Sequence, residues 1–516
     1  MSAELAPLVD RCLLFSMAGL SPSARFRGWL AEGLGGVLLY PPNIAGTAQL
    51  KTLCAELRAA RADVLIAVNG EGGDSTPVYP ETGSPHPSHL ALGGADDPEL
   101  TRAVAADIGN HLADLGVNLN LAPVADVGTN PANRLVGTRS FGADPCLVAR
   151  HAMAYIDGLR AAGVAGAAKH FPGFGGAHAS SDIDFPVVAE DPGMHLGPFR
   201  DVIGADVPAI LTSHAIYPAL DSLPATFSRT ILTGLLREEL GFGGVIIGDS
   251  LTMAMVIAQL GAAEAAVRAF ASGADLICMT GGLAEQRAVR DHVIAAVTDG
   301  RLAAERLADA AARVTSLARA HARPGGTGPQ RLEWDAGRDG RLLRIDAPLP
   351  LRRPPYVIEF PDARNGSEPA PASLLAVLRQ LDQDVSGVRL TAEGAALAYA
   401  VRAAPQDRPL VLAARDAHRH PRLRANLSAI LRLRHDAILV GLGSTGDAQL
   451  APGRYVGTNG TARPSLQAAA RSLLPPAADL TGPALLPGRH CPGQPAPNTP
   501  PGPPRPPPRR PSRPSA

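Results

Sequence analysis

The 516-residue chain is 46% hydrophobic and 19% charged, and its 48 Lys and Arg residues balance 48 Asp and Glu. That apolar content excludes disorder along the whole length, and the lack of a basic excess argues against a nucleic-acid or anionic-membrane partner. With no run approaching ~20 uninterrupted apolar residues, no bilayer span is expected.

The first residues, MSAELAPLVDRCLLFSMAGL, carry Glu4 and Asp10 and no basic run before a short apolar part. They do not read as a signal peptide. Five cysteines (Cys12, Cys54, Cys146, Cys278, Cys491) are scattered without paired spacing. Reduced thiols in a cytoplasmic protein are expected, with no metal site, no disulfide framework and no cofactor.

Short apolar strands follow at 36–40 (GVLLY), 64–68 (VLIAV), 117–121 (VNLNL), 164–168, 209–213 (AILTS), 245–248 (VIIG) and 275–279 (DLICM). Runs with helical periodicity separate them, notably 98–115 and 146–162. Near-continuously apolar strands alternating with helices predict a parallel sheet buried on both faces. At this length the α/β pattern predicts an N-terminal TIM-type (β/α)8 barrel over 1–320. No Gly-x-Gly-x-x-Gly turn follows the first strand, against a dinucleotide fold.

Residues 321–352, rich in Arg, Gly and Pro, read as a linker. A smaller α/β sandwich domain is expected over 353–475, with strands at 356–360, 396–402, 410–414 and 437–441 and a helix near 423–433. Its RDAHRHPRLRANLSAILRLRHD segment reads as a solvated helix face, its GSTG near Gly443 as a loop, and Cys278 of the barrel as core. From 476 the chain becomes a Pro/Arg-rich tail, expected to be disordered, with docking to a proline-binding partner as its alternative to a passive role.

Polar and glycine-rich residues cluster just after the strands: NGEGGD, KHFPGFGG, SHAIYP and DSLTM. In a barrel these positions converge on one rim. A cation, an imidazole and a glycine turn in KHFPGFGG suit hydrogen bonds to a polyhydroxylated ligand. Only Lys51 and Lys169 among the basic residues are lysine, so Lys169 stands out as a compact ammonium in an arginine-rich chain. Asp249 of DSLTM ends a strand, where a carboxylate serves as nucleophile or base, or else caps a helix.

These segments resemble glycoside hydrolase family 3, in its bacterial β-N-acetylhexosaminidase branch. The likeness covers most of 1–320. It runs through GGVLLYPPNI (35–44), the EGG of NGEGGD, GVNLNLAPVADVGTNPANRLVGTRSFGADP (116–145), KHFPGFG (169–175), SHAIYP through DSLTM (213–253) and SGADLICM (272–279). The second domain resembles the α/β sandwich that follows the barrel in many members. The resemblance implies retaining hydrolysis of a β-linked N-acetylhexosamine through an aspartyl glycosyl-enzyme, with a carbohydrate as the partner. It implies that Asp249 is the nucleophile and that Lys169, His170 and Arg139 bind sugar. It puts Asn69 at a sugar-binding Asp position. His214 falls in a rim segment, as a pocket or a structural histidine.

The loop after KHFPG departs from the branch. Its acid/base Asp and His positions are Ser180 and Asp182, and Phe174 and Gly176 replace a His and an Asp. Asp74 replaces the arginine of the family's EGGR, and Thr138 stands where an Asp usually precedes the RSF arginine. Three replacements for the acid/base are open: Asp182 itself, His178, or a carboxylate or histidine from the second domain. The other reading is a catalytically impaired sugar-binding homologue.

Overall fold

The computed structural model describes residues 2–179, 183–322, 335, 339–360, 373–390 and 395–475. Most of the expected linker, the whole Pro/Arg-rich tail with its docking alternative, Ser180 and Asp182 lie outside the described residues.

Eight parallel strands close into a barrel in chain order: β1 (Leu13–Phe15), β2 (Gly36–Leu38), β3 (Leu65–Val68), β4 (Leu119–Asn120), β5 (Ala165–Phe171), β6 (Ala209–Thr212), β7 (Val245–Gly248) and β8 (Leu276–Met279). β1 pairs with both β2 and β8 and so completes the ring. This first strand lies in the segment weighed above as a leader, where three residues carry too little pattern to read as a strand.

Alternation along each strand divides its side chains between two apolar layers. Leu14, Leu65, Ala67, Leu119, Leu211 and Ile247 fill the barrel interior. Leu13, Phe15, Ile66, Val68 and Ile246 face outward into the larger core made with the helices. The helix Pro98–Leu115 has the bounds its signals predict. Asp97 accepts the Leu100 amide, Pro98 opens the first turn, and Gly116 ends it at φ 90°. It packs against Pro145–Ala161 at close range: a Cβ on Gly158 would lie 2.4 Å from the Arg102 carbonyl oxygen.

A second, six-stranded sheet comprises β9 (Arg344–Asp346), β10 (Tyr356–Glu359), β11 (Ser386–Arg389), β12 (Leu410–Ala414), β13 (Ile438–Gly441) and β14 (Tyr455–Gly457). Its order is β9-β14-β13-β12-β10-β11, parallel except for β9. The expected strand at 396–402 is instead within a helix, Ala395–Ala403. The run ALAYAV is apolar on consecutive positions and rich in alanine. A short run of that kind has no period to separate strand from helix, and alanine favours the helix.

This sheet domain reaches the barrel at the loops that follow the barrel strands. Ser88 Oγ donates to the Asn459 carbonyl at 2.5 Å, the Arg463 amide donates to the Ser84 carbonyl at 3.3 Å, and Arg419 Nε donates to the Pro131 carbonyl at 2.9 Å. The start of the arginine-rich segment is therefore buried against the barrel rim. The reading of a solvated face fails there: the Arg419 side chain is 8% exposed.

Candidate active site

The loops after the barrel strands enclose a cavity of about 370 Å3 at the rim. Asn69, Arg139, Lys169, His170, His214 and Asp249 all line it, joined by Tyr40, Asp74, Phe174 and Ser250. Six of the eight residues expected to form the site are thus brought together. The other two are not among the residues seen to line it. Asp182 lies outside the described residues. His178 is exposed, its backbone pairs with Val187 at 2.9 and 2.7 Å, and its Nδ1 receives Asn130 Nδ2 at 3.2 Å. No second-domain carboxylate or histidine lines the cavity among the described residues.

Asp249 stands just past the last residue of β7. Its amide donates to Thr212 Oγ1 at 3.1 Å, and its Oδ1 accepts the Ser250 amide at 2.7 Å. The next helix begins only at Ala254 with Met253 as its cap, so Asp249 is not the helix cap. Among the described residues its Oδ2 accepts no hydrogen bond. The carboxylate is fixed through one oxygen and presents the other.

Lys169, 1% exposed, is held by Glu71 Oε1 at 2.5 Å and Asn69 Oδ1 at 2.8 Å. Burial pushes the ammonium's pKa down, Glu71 and Asp249 push it up, and Arg139 adds to the lowering. Glu71 also takes a two-pronged contact from Arg139, with Nε and Nη2 each at 2.8 Å. Burial alone would raise the Glu71 carboxyl. The two cations outweigh burial and hold it far below the ordinary carboxylate range. Beneath them His89 Nδ1 donates to the Arg139 carbonyl at 2.6 Å, and burial lowers its pKa to about 4, which keeps it neutral.

His170 is oriented by Asp126, whose Oδ2 meets Nδ1 at 2.7 Å. Asp126 Oδ1 accepts the His170 amide at 3.1 Å and the Phe174 amide at 2.6 Å. Burial would raise this carboxyl too, and the His170 charge and these hydrogen bonds lower it on balance. The imidazole is left with Nε2 for the cavity. His214 stacks on Phe227 with centroids 5.4 Å apart and places Nε2 3.0 Å from the Ser250 carbonyl. Burial depresses its pKa against the pull of Asp249.

Glu71, Asp126 and Glu190 had no assigned part in the sequence reading. Glu71 was visible only as a letter of EGG, and Asp126 as one of NLAPVADVG. Glu190 accounts for the glycine at 176: a Cβ there would lie 2.3 Å from Glu190 Oε2, which takes Thr129 Oγ1 and His195 Nε2 at 2.7 Å each. Asp74, the charge reversal, is matched from the second domain. Arg415 Nη1 donates to its Oδ2 at 2.6 Å, and the Thr461 amide and hydroxyl donate to its Oδ1 at 2.8 and 2.7 Å.

Among the described residues no His, Cys, Asp or Glu cluster has the arrangement of a metal site, and no helix is long and apolar enough to cross a membrane.

A family model described as the glycosyl hydrolase family 3 N terminal domain matches residues 15–317. The beta-hexosaminidase A of Pseudoalteromonas piscicida is 31% identical over 371 residues, covering 63% of this chain and 62% of that protein. A beta-N-acetylglucosaminidase/beta-glucosidase of Cellulomonas fimi is 32% identical over 321 residues, covering 59% of this chain and 56% of its own length. The chain thus spans less than two thirds of these two relatives. Among solved structures, a glycoside hydrolase family 3 beta-N-acetylglucosaminidase from Paenibacillus sp. str. FPU-7 superposes with a TM-score of 0.82. The two are 29% identical, and the match covers 90% of this chain and 95% of that one.

Proposed function

The chain belongs to glycoside hydrolase family 3, and from that premise we propose that it is a retaining hydrolase of terminal β-linked N-acetylhexosamine. The observation that carries this reading is the one-sided hold on Asp249: a strand-end carboxylate with Oδ2 open, in a cavity lined by Lys169, His170 and Arg139.

In this reading Asp249 Oδ2 attacks the anomeric carbon and forms a covalent glycosyl-enzyme, which water then hydrolyses. Lys169 and His170 Nε2 donate to sugar hydroxyls, and Arg139, held beside Lys169 on the shared Glu71 carboxylate, donates as well. Asn69 has its Oδ1 taken by Lys169, so it presents N–H donors where a carboxylate would accept. That change bears on which sugar fits. His214, with Nε2 directed to the Ser250 carbonyl, offers Nδ1 as an acceptor. Asp182 is the acid that protonates the leaving group and later activates water, because a second carboxyl is the usual partner in this chemistry. The unpaired Cys12, Cys54 and Cys278 favour a reducing compartment such as the cytoplasm.

The test is turnover of p-nitrophenyl N-acetyl-β-glucosaminide and the matching β-glucoside and β-xyloside by wild type, Asp249→Ala and Asp182→Ala. Asp249→Ala should abolish turnover, and a fluorosugar should label that residue in the wild type. Asp182→Ala should lower kcat/KM for substrates with poor leaving groups by about 10²–10⁴-fold and spare kcat/KM for the nitrophenyl glycoside, whose kcat should still fall because water attack on the glycosyl-enzyme loses its base. The exposed His178 and the Ser180 substitution favour a second reading, a sugar-binding protein without turnover. Tight glycan binding with no hydrolysis of any of these substrates would establish it.

A further inference from the structure

A second carboxylate, besides Asp126, holds the loop after β5. Glu190 comes from the segment just before the helix Pro192–Gly204. Its Oε2 receives Thr129 Oγ1 from the loop after β4 and His195 Nε2 from that helix, at 2.7 Å each. His195 is fully buried and presses on the start of the loop in turn: a Cβ on Gly173 would lie 2.5 Å from the His195 Cβ. Glu190 thus ties the loop after β5 to the loop before it and to the helix after it.

Residue 176 is glycine because of this carboxylate and not because of its own backbone. Gly173 needs its φ of 122°, whereas Gly176 lies outside the left-handed region that favours glycine. A Cβ at 176 would nonetheless lie 2.3 Å from Glu190 Oε2 and 3.1 Å from Thr129 Oγ1. Glu190 therefore fills the space that a side chain at 176 would take, next to the partner such a side chain would meet. On either side of Gly176 the backbone is held as well. Asn133 Nδ2 donates to the Phe174 carbonyl at 2.8 Å, Asn130 Nδ2 to the Ala177 carbonyl at 2.9 Å, and the His178 amide to the Val187 carbonyl at 2.9 Å. Burial would raise the Glu190 carboxyl, and the bonds from Thr129 and His195 with the nearby His195 and His178 bring it down on balance. The carboxylate is thus in electrostatic touch with the loop at His178 too.

We infer that Glu190 is a positioning residue: it sets the path of residues 173–178, and through them the placement of the group that protonates the leaving group. The inference rests on the hydrolase reading, in which this loop carries the proposed acid. Glu190 is not among the residues that line the cavity, so it acts through the backbone it holds. Its loss should fall on acid catalysis more than on attack by Asp249.

The experiment measures kcat/KM for phenyl and p-nitrophenyl N-acetyl-β-glucosaminide, alike in shape and unlike in how much acid help the leaving oxygen needs. Glu190→Ala should lower the value for the phenyl glycoside about tenfold or more and for the nitrophenyl glycoside less than about threefold. Thr129→Val removes only the hydroxyl that Glu190 accepts, should act in the same sense, and keeps the test sound if Glu190→Ala misfolds. Gly176→Asp alone should also be harmful, because two carboxylates then meet in one place. In the double variant Glu190→Ala with Gly176→Asp the new carboxylate takes the vacated space, and phenyl glycoside turnover should return to within about threefold of wild type. Rescue of one harmful change by another is not expected of a general loss of stability. Equal losses on the two glycosides, or a double variant no better than Glu190→Ala, would overturn the inference. If the wild type hydrolyses neither glycoside, the hydrolase reading fails on its own. Hydrogen exchange then decides the positioning. Exchange of the Ala177 and His178 amides about tenfold faster in Glu190→Ala, and slowed again in the double variant, supports it; unchanged exchange overturns it.

Discussion

Glu71 shows how one buried carboxylate organises the wall of a cavity through the cations it holds. It anchors both Lys169 and Arg139 from a position that is 2% exposed. Glu71→Gln would leave two cations facing each other in a buried setting, and removing one partner of a buried ion group costs about 3–5 kcal/mol. Urea unfolding at neutral pH should show a loss of that order. The pH dependence has a definite sign. A carboxyl held below its unfolded value contributes stability above about pH 4.3, and that contribution fades as pH falls toward its folded-state value. The wild-type and Gln curves should therefore converge as pH drops below about 4, and a gap that stays constant into acid would refute the assignment. At this scale the strand-end residues could be read from the sequence because each has its own motif. Glu71 and Asp126 could not, since a carboxylate that serves other side chains leaves no spacing of its own.

The loop after β5 is the element on whose conformation the proposed chemistry depends. Asp126 gathers His170 and Phe174 from below, and Gly175 passes so close to the neighbouring loop that a Cβ would lie 1.7 Å from the Val127 carbonyl oxygen. Gly175→Ala must push backbone against backbone. It should cost about 1–3 kcal/mol in stability and lower kcat/KM about tenfold or more, because the shift passes to His170. Gly28→Ala is the control. It is exposed in the helix Ala24–Glu32 with open space around it, so it should be neutral or stabilise slightly, by up to about 1 kcal/mol. Thermal melting and turnover of both variants would check this. Elements with strong local signals were legible: the helix Pro98–Leu115 has a cap, an opening proline and a closing glycine. β1 and the helix Ala395–Ala403 were not. Three residues make too short a pattern, and an unbroken apolar run has no period.

At the scale of the molecule, the barrel and the sheet domain share the rim. Asp74 and Arg415 are 341 residues apart in sequence and 2.6 Å apart in space. Nothing near either residue announces the other, so the sequence shows the charge reversal at Asp74 without its compensation at Arg415. Both side chains are largely buried, at 6% and 14% exposure. A double-mutant cycle with Asp74→Ala and Arg415→Ala should give an interaction energy of about 1–3 kcal/mol by urea unfolding. A value below about 0.3 kcal/mol would mean that the contact is incidental.

The ring of strands closes where Leu13 of β1 meets Ile277 of β8. A ribosome adds about 5–20 residues per second, so the first strand is made tens of seconds before its last neighbour exists. Through that interval Leu13, Leu14 and Phe15, all fully buried in the finished protein, have only β2 beside them. The nascent chain therefore carries one sticky, unsealed seam for most of the time the barrel takes to be made. A cell overproducing this protein should meet its aggregation hazard on the polysome, before the molecule is complete.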